Sequence, residues 1–294
     1  MTVRIHPTAI VDPSANLADG VTVGPYCIIG PKVTIGENTE LRSHIIVESH
    51  SRVGRDNVVF QFSTLGGAPQ DRKFLGEVTW CEIGDRNQIR ESVTVHRGTG
   101  NGGGITKIGS DNLIMVGSHV AHDCVIGNHV TIANETMLAG HVHLGDWVGV
   151  GGGTGLHHYV TVGRLAFIAA MSRVERDVPP FMTVEGSPSR VRTANKILLE
   201  RRGLAPESIR ALRVGCKRIF SRRSQELGQS VVERVEATRA EFAEISEMHE
   251  FCDSVRLILT CEKGRVRDGL RPDDKRTAIS RTAGATRIGE MPVG

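Results

Sequence analysis

Histidines are concentrated in residues 96–158, and histidine is the side chain best suited to proton transfer near neutral pH. Asp123 directly follows His122, so its carboxylate can accept a hydrogen bond from the imidazole and hold it in one tautomer. A histidine held in this way can act as a general base. Any single histidine could instead be an ordinary surface residue, so the inference depends on whether the fold gathers several of them.

The elements that must carry these histidines repeat every six residues. An aliphatic side chain returns at each sixth position from Ile5 to Leu65 and, after two interruptions, from Ile108 to Val174. A period of six is typical of the parallel β-helix, in which each hexad forms a short strand and a corner. Three hexads complete a triangular coil, and successive coils pair as parallel strands about 4.8 Å apart. The repeat therefore predicts an all-β parallel β-helix over residues 1–190.

The phase of the repeat predicts which histidines meet. The hexads that carry His122, His141 and His157 are offset by one coil each, so they should lie on one face, with about 5 Å between neighbouring imidazoles. His119 lies beside this row, and His96 directly precedes a loop. Such a row could supply metal ligands or a general base with binding partners. Since a row within one chain does not bring three imidazoles to one point, we expect no metal.

Two segments interrupt the repeat, residues 66–77 and the glycine-rich residues 97–105. The aliphatic frame resumes at Ile83 in phase, so the first segment is an outward loop and not a break in the fold. In a solenoid with strict register, loops commonly form the binding surface. We expect both loops to lie beside the histidine row.

Beyond the repeat, apolar residues return with helical spacing, which predicts a small α-helical C-terminal domain over residues 191–261. Residues 190–223 are strongly basic, whereas residues 224–261 are mainly acidic. A charged helix face is commonly just solvated, but a basic surface also suits phosphate or an acidic protein partner. Residues 262–294 have little to bury, and we predict that they are disordered.

Composition limits the class of protein further. The net charge is only +3, and no basic nucleic-acid motif is present, so we expect no nucleic-acid partner. No apolar run reaches the ~18 residues of a membrane span, and the repeat begins too early to leave room for a signal peptide. The six cysteines form no CxxC pair. These features predict a cytoplasmic protein with reduced thiols and no cofactor.

Five segments of the chain resemble one enzyme family: HVAHDCVIGN (119–128), IGDRNQIRESVTVHRGT (83–99), PQDRKF (69–74), LAGH (138–141) and LERRGL (199–204). They are similar to the acyl-carrier-protein:UDP-N-acetylglucosamine O-acyltransferases of lipid A biosynthesis. The similarity includes both loops and the helical extension. It implies a homotrimer of left-handed β-helices with active sites between neighbouring prisms. It also implies acyl carrier protein as the donor of a 3-hydroxyacyl group and the 3-hydroxyl of UDP-N-acetylglucosamine as the acceptor.

The resemblance also implies roles for individual residues. His122 resembles the family's general base, Asp123 supports it, and the backbone N–H of Gly140 resembles the oxyanion donor. The residues that match substrate contacts are Asp71, Lys73, His96, His119, His141, His157, His158, Asn195, Arg201 and Arg202. The basic helices would dock the acidic carrier protein.

Two positions depart from the family's pattern. His158 stands where the family usually has Gln. Ala170, at the site that resembles the acyl-length ruler, stands where Gly would leave more space, and the bulky Met171 follows it. An added methyl group narrows a groove, so we predict preference for a shorter or intermediate acyl chain.

Three other functions remain open from the sequence. A neutral base at His122 would serve equally well for N-acylation of an amino sugar, although the N-acyltransferase of the same pathway usually carries an extra domain before its prism. A zinc hydratase of the carbonic anhydrase type uses the same prism but leaves the basic helices unexplained. A non-catalytic scaffold would explain the repeat but not the histidines.

Overall fold

The computed structural model describes residues 2–220 and 229–260. It is a left-handed parallel β-helix followed by a small α-helical domain, and the fold class predicted from the repeat is confirmed. The predicted disorder of residues 262–294 concerns residues outside those that are described.

The prism has three sheets, one for each side of the triangular coil. Sheet A contains, in spatial order, Arg4–Ile5 (β1), Thr22–Val23 (β4), Glu40–Leu41 (β7), Val58–Val59 (β10), Gln88–Ile89 (β13), Leu113–Ile114 (β16), Thr131–Ile132 (β19), Gly149–Val150 (β22), Phe167–Ile168 (β25), Met182–Glu185 (β27) and Arg190–Ala194 (β28). Sheet B contains Ile10–Val11 (β2), Ile28–Ile29 (β5), Ile46–Val47 (β8), Thr64–Gly67 (β11), Thr94–His96 (β14), His119–Val120 (β17), Met137–Leu138 (β20), Gly155–Leu156 (β23) and Arg173–Val174 (β26). Sheet C contains Asn16–Leu17 (β3), Thr34–Ile35 (β6), Ser51–Val53 (β9), Trp80–Ile83 (β12), Ile105–Ile108 (β15), Val125–Ile126 (β18), His143–Leu144 (β21) and Thr161–Val162 (β24).

Strands pair in parallel throughout the prism, and only the closing pair β27–β28 is antiparallel. The aliphatic frame residues point inward, and those in the middle of the prism, such as Leu65 and Ile132, are fully buried. Burying one such side chain contributes about 1.5–3 kcal/mol relative to leaving it exposed. Ile5, in the first coil, remains half exposed because no coil covers that end.

The corners of the coils require an unusual backbone conformation. The fourth residue of many hexads has a positive φ, for example 60° at Asp123 and 63° at His141. Among residues other than glycine, aspartate, asparagine and histidine adopt this left-handed conformation most readily. The repeat therefore places Asp123 and His141 at equivalent corner positions in successive coils.

Four α-helices follow in the described residues: Lys196–Arg201 (α1), Pro206–Phe220 (α2), Val231–Glu241 (α3) and Ser246–Thr260 (α4). They pack around a second apolar cluster that includes Leu212, Val235 and Phe251 and continues into β27 through Met182. A capping box of Ser230 and Glu233 starts α3. Among these helices, none is long and apolar enough to cross a membrane.

Candidate active site

Both loops and the His122–Asp123 pair lie at one corner of the prism, where sheet B passes into sheet C. Residues 68–79 connect β11 to β12, and residues 97–104 connect β14 to β15 in the next coil, so the predicted loops overlap the ends of β11 and β15. His122 and Asp123 occupy the same corner one coil further, between β17 and β18. The expectation that the loops flank the histidines is confirmed, because a fixed register places three successive coils side by side.

His122 and Asp123 form a hydrogen-bonded pair with the carboxylate buried beneath the imidazole. Nδ1 of His122 lies 2.7 Å from Oδ2 of Asp123, and the two side chains are 13% and 1% exposed. Two further donors come from the second loop, where the backbone N–H and the hydroxyl of Thr99 donate to the carboxylate at 2.8 and 2.7 Å. Nε2 of His141 in the next coil lies 3.7 Å from Oδ2 of Asp123. Because the carboxylate accepts from Nδ1–H, Nε2 is the ring nitrogen that can accept a proton from a substrate.

Gly140 lies against the face of the His122 ring. A Cβ atom at this position would stand 2.5 Å from Cε1 and 2.7 Å from Nε2 of His122, far inside van der Waals contact. The close approach of backbone and imidazole therefore requires glycine at residue 140. It also places the peptide backbone of the next coil beside Nε2 of His122.

His96 and His119 form a second pair on sheet B next to the first. Their rings meet edge to face with centroids 4.8 Å apart, and Nδ1 of His119 is 2.7 Å from the hydroxyl of Thr94. Burial and, to a lesser extent, the charges of His119, His122 and Arg97 lower the pKa of His96 to about 4. Burial also lowers the pKa of His119. Both imidazoles are therefore uncharged at neutral pH, and Nδ1 of His96 has no hydrogen-bond partner among the described residues.

The predicted row of three histidines is only partly correct. His122 and His141 are neighbours with ring centroids 5.2 Å apart, but the ring of His141 stacks next on Tyr159, at 4.3 Å. His157 instead packs on His158, at 3.8 Å. The reason is that His122, His141 and His157 occupy different positions within their hexads, and only residues at equivalent or adjacent corner positions come into contact.

The structure does not bring all the predicted substrate contacts to this corner. Asp71 and Lys73 do lie on the first loop, where the Asp71 carboxylate accepts a hydrogen bond from the Lys73 backbone at 3.0 Å. Asn195 donates to the carbonyl of Leu165 at 3.0 Å and thus anchors the start of α1. Arg201 is exposed at the end of α1.

Arg202 and Ala170 lie at the two other corners. The guanidinium of Arg202 stacks on the indole of Trp147, 3.6 Å from the ring centroid, where sheet C passes into sheet A. Ala170 lies between β25 and β26, where sheet A passes into sheet B, three coils or about 14 Å along the axis from His122. Within one chain these residues cannot reach the His122 corner.

One group of described side chains, His122, Asp123 and His141, has ligand atoms close enough for a metal, within 4.8 Å of one another. It contains two imidazoles and a carboxylate. Both oxygens of the carboxylate already accept hydrogen bonds, from Thr99 and from His122. A metal would have to displace those donors, so the arrangement favours an oriented base over a metal ligand set.

Three residues of this corner were not predicted: Glu77, Thr99 and Gly102. Thr99 and Gly102 belong to the second loop, and Glu77 accepts a hydrogen bond from it. This loop lies so close to Asp123 that a Cβ at Gly102 would stand 2.1 Å from the carboxyl carbon of Asp123. The glycine-rich composition indicated a close approach, but it did not indicate what is approached.

A prism of hexads with a buried carboxylate and an oriented imidazole at a loop-flanked corner is the architecture of a hexapeptide-repeat acyltransferase. The family model for the bacterial transferase hexapeptide matches residues 2–37 and 105–140. The model for domain 2 of UDP-N-acetylglucosamine O-acyltransferase matches residues 177–260.

Solved structures agree over nearly the whole chain. LpxA from Acinetobacter baumannii is 42% identical, covers 90% of this chain and 99% of its own, and superposes with a TM-score of 0.82. UDP-N-acetylglucosamine O-acyltransferase (LpxA) from Moraxella catarrhalis is 38% identical, and the match covers 90% of this chain and 99% of that one, with a TM-score of 0.80. UDP-N-acetylglucosamine acyltransferase from Francisella novicida is 33% identical, and the match covers 97% of this chain and 100% of that one, with a TM-score of 0.79. The chain belongs to the UDP-N-acetylglucosamine O-acyltransferase family.

Proposed function

We propose that this enzyme transfers a 3-hydroxyacyl group from acyl carrier protein to the 3-hydroxyl of UDP-N-acetylglucosamine, the first step of lipid A biosynthesis. His122 is the general base. The observation that carries the proposal is the 2.7 Å hydrogen bond from His122 to a carboxylate that is itself buried and held by Thr99. Family membership at 42% identity supports the choice of substrates.

The reaction follows from the positions of these groups. Nε2 of His122 accepts the proton of the sugar 3-hydroxyl as its oxygen attacks the thioester carbonyl, which gives a tetrahedral oxyanion. The Gly140 N–H donates to this oxyanion, an interaction worth about 3 kcal/mol where such donors have been removed from other enzymes. When the carbon–sulfur bond breaks, the proton on His122 passes to the departing thiol of the carrier.

The other histidines bind the acceptor in this proposal. His96 and His119 have lowered pKa values, so neutral rings are presented to an uncharged sugar. Neutral imidazoles can both donate to and accept from sugar hydroxyls. Asp71, Lys73, His141, His157 and His158 remain proposed substrate contacts, as do Asn195, Arg201 and Arg202 for the nucleotide.

We also assign a homotrimer, since the single chain separates the proposed contacts between different corners. Arg202 and Ala170 can only face His122 if they belong to a neighbouring copy. The outer face of sheet B carries apolar side chains that a neighbour would cover: Ile10, Ile28 and Met137 are each at least 43% exposed.

The donor would dock on the basic helical surface. Arg192, Arg210, Arg213 and Lys217 surround a cavity of about 410 Å³ between β28 and α2. This surface suits an acidic protein such as an acyl carrier protein. We place the enzyme in the cytoplasm, where its buried cysteines, all of them free thiols in the described residues, stay reduced.

The test is transfer from 3-hydroxyacyl carrier protein to radiolabelled UDP-N-acetylglucosamine, with and without a chelator. We expect a 3-O-acylated product at a rate that the chelator leaves unchanged. A 3-amino analogue of the acceptor is run in parallel. Turnover of the amino sugar alone would favour N-acylation, and turnover lost only with chelator would favour a metal enzyme, because His122, Asp123 and His141 lie close enough to share an ion.

A further inference from the structure

Glu77, at the end of the first loop, uses both oxygens of its carboxylate to join the two loops. Oε1 accepts a hydrogen bond from the backbone N–H of Gly100 in the second loop, and Oε2 accepts one from Leu75 in its own loop, both at 2.8 Å. These backbone donors, with Gly100 first, lower the pKa of Glu77. The carboxylate is therefore charged at neutral pH and holds the loops together.

The segment that Glu77 holds is the one that touches Asp123. We call residues 99–102 the bridging turn; it consists of Thr99 and the short 3₁₀ helix Gly100–Gly102. Its first residue donates two hydrogen bonds to the Asp123 carboxylate, and its last lies against the same group. One turn thus spans two carboxylates, with Glu77 on its outer side and Asp123 on its inner side.

We infer that Glu77 is a positioning residue for the general base. It keeps the bridging turn on Asp123, and the carboxylate in turn holds the His122 imidazole through the 2.7 Å hydrogen bond. The inference rests on the proposed role of His122. It also links the loop that carries Asp71 and Lys73 to the proton acceptor through the bridging turn and Asp123.

A positioning role for Glu77 predicts that the base loses its orientation while the protein stays folded. Thr99 is buried, and the coils above and below the loops are held by their own strand pairing, for example between β14 and β17. Losing the Glu77 carboxylate should therefore leave the prism folded while it releases the bridging turn and removes the hydrogen bond to Leu75 in the first loop. Acceptor binding should survive, whereas the orientation of the base should suffer.

The test compares Glu77→Ala and Glu77→Gln with Glu82→Ala in the full-length enzyme. Glu82 is a matched control on β12, where its carboxylate pairs with Arg52 at 2.6 Å instead of with the bridging turn. We expect Glu77→Ala to lower kcat about tenfold with KM for UDP-N-acetylglucosamine within about twofold of the wild-type value. Glu77→Gln retains one acceptor oxygen, so its kcat should lie between that of Glu77→Ala and that of the wild type. Glu82→Ala should have the wild-type kcat.

A double variant tests the route of the effect. Thr99→Val removes the hydroxyl donor to Asp123 but keeps the backbone N–H. If Glu77 acts through the bridging turn, Glu77→Ala combined with Thr99→Val should be little slower than the worse single variant. A fully additive loss, or an unchanged kcat in Glu77→Ala, would overturn the inference.

Amide hydrogen exchange supplies a readout that needs no substrate. Residues 97–105 should exchange faster in Glu77→Ala than in Glu82→Ala, and unchanged exchange there would also overturn the inference. The hydrogen-exchange measurement distinguishes the proposed role of Glu77 from the proposed acyl-transfer function. If the wild-type enzyme fails to transfer acyl groups, the proposed function is wrong, yet the exchange data still decide whether Glu77 holds the bridging turn.

Discussion

The His122–Asp123 pair derives its geometry from residues that no single motif contains. Asp123 adopts a left-handed φ at a coil corner, so its side chain turns back under the preceding imidazole. Thr99 then donates two further hydrogen bonds to the carboxylate. A buried carboxylate with its acceptors satisfied is held rigidly, and a rigid carboxylate holds the histidine in one tautomer.

Gly140→Ala should inactivate the enzyme without unfolding it. The new methyl group would occupy the space of the His122 ring, 2.5 Å from Cε1, so the imidazole must rotate away from the acceptor. We expect kcat to fall by at least about a hundredfold, since small misplacements of a catalytic group cost that much. The measurement is steady-state acyl transfer together with the far-UV circular dichroism spectrum.

Gly155→Ala is the matched control for that substitution. Gly155 lies on β23, in the coil after the one that carries Gly140, and a Cβ there meets no atom of the chain within 4 Å. It should leave kcat unchanged. Equal losses from both variants would mean that backbone effects, and not contact with His122, explain the result.

The buried His96 should make the protein less stable in mild acid. Its pKa falls from 6.5 in the unfolded chain to about 4 in the folded one, so the unfolded state binds more protons between these values. Stability is therefore full above about pH 6.5 and declines as pH falls toward 4, by about 2 kcal/mol between pH 7 and pH 5. Urea unfolding at fixed protein concentration measures this decline.

His96→Asn supplies the comparison for that pH effect, because asparagine does not titrate. The variant should lose less stability than the wild type on going from pH 7 to pH 5. An equal loss of unfolding free energy in the two proteins between pH 7 and pH 5 would mean that His96 does not contribute to the pH dependence.

At the scale of the elements, a column of buried asparagines connects successive coils. The side-chain oxygen of Asn57 accepts from the backbone of Asn87 at 2.8 Å, and that of Asn87 accepts from Asn112 at 2.9 Å. The Asn87 amide also donates to the carbonyl of Gly109 at 3.0 Å. These side chains satisfy corner backbone groups that the short strands leave unpaired.

Asn87→Ala should therefore destabilise the prism. It leaves the Asn112 N–H and the Gly109 carbonyl without their partner in a buried place, which should cost about 3 kcal/mol of unfolding free energy. Thermal or urea unfolding measures the change. Gln88→Ala, at the exposed neighbouring position on β13, should change stability little, and equal effects would contradict a role for the column.

The sequence predicted the strands of the prism more successfully than any other feature of the structure. The period of six specified the strands, their faces and the common corner of the two loops, because inward aliphatic residues tolerate no slip. The predicted histidine row was correct for His122 and His141 but not for His157, because a period places residues on a face but does not bring their side chains into contact. The bridging turn was missed, since its contacts depend on the path of an irregular loop that carries no period.

At the scale of the whole molecule, the proposed site is divided among three corners. Sequence resemblance matched Arg202 to a nucleotide contact and Ala170 to the acyl-length ruler of the site that contains His122, yet the fold of one chain keeps all three apart. The corner of Ala170 is set by its position in the eighteen-residue period, whereas Arg202 follows α1 and is placed by its contact with Trp147. A site built from all of them therefore needs neighbouring copies packed side by side.

In the proposed trimer, acyl-chain preference would depend on a groove between neighbouring copies. Ala170 presents a methyl group, and the exposed Met171 follows it, so the groove should end early. We expect the fastest transfer with short or intermediate chains when carriers bearing about ten to eighteen carbons are compared. Ala170→Gly should move the optimum to longer chains. A wild-type optimum at the longest chains would contradict this account of the groove.

The most direct test of the central claim is the rate of acyl transfer to UDP-N-acetylglucosamine in His122→Ala against His6→Ala. His6 is an exposed histidine in the first coil and controls for loss of an imidazole as such. We predict that His122→Ala lowers kcat by about a hundredfold or more, as expected for a lost general base, while His6→Ala retains the wild-type rate. Transfer at the wild-type rate by His122→Ala would contradict the assignment of the base.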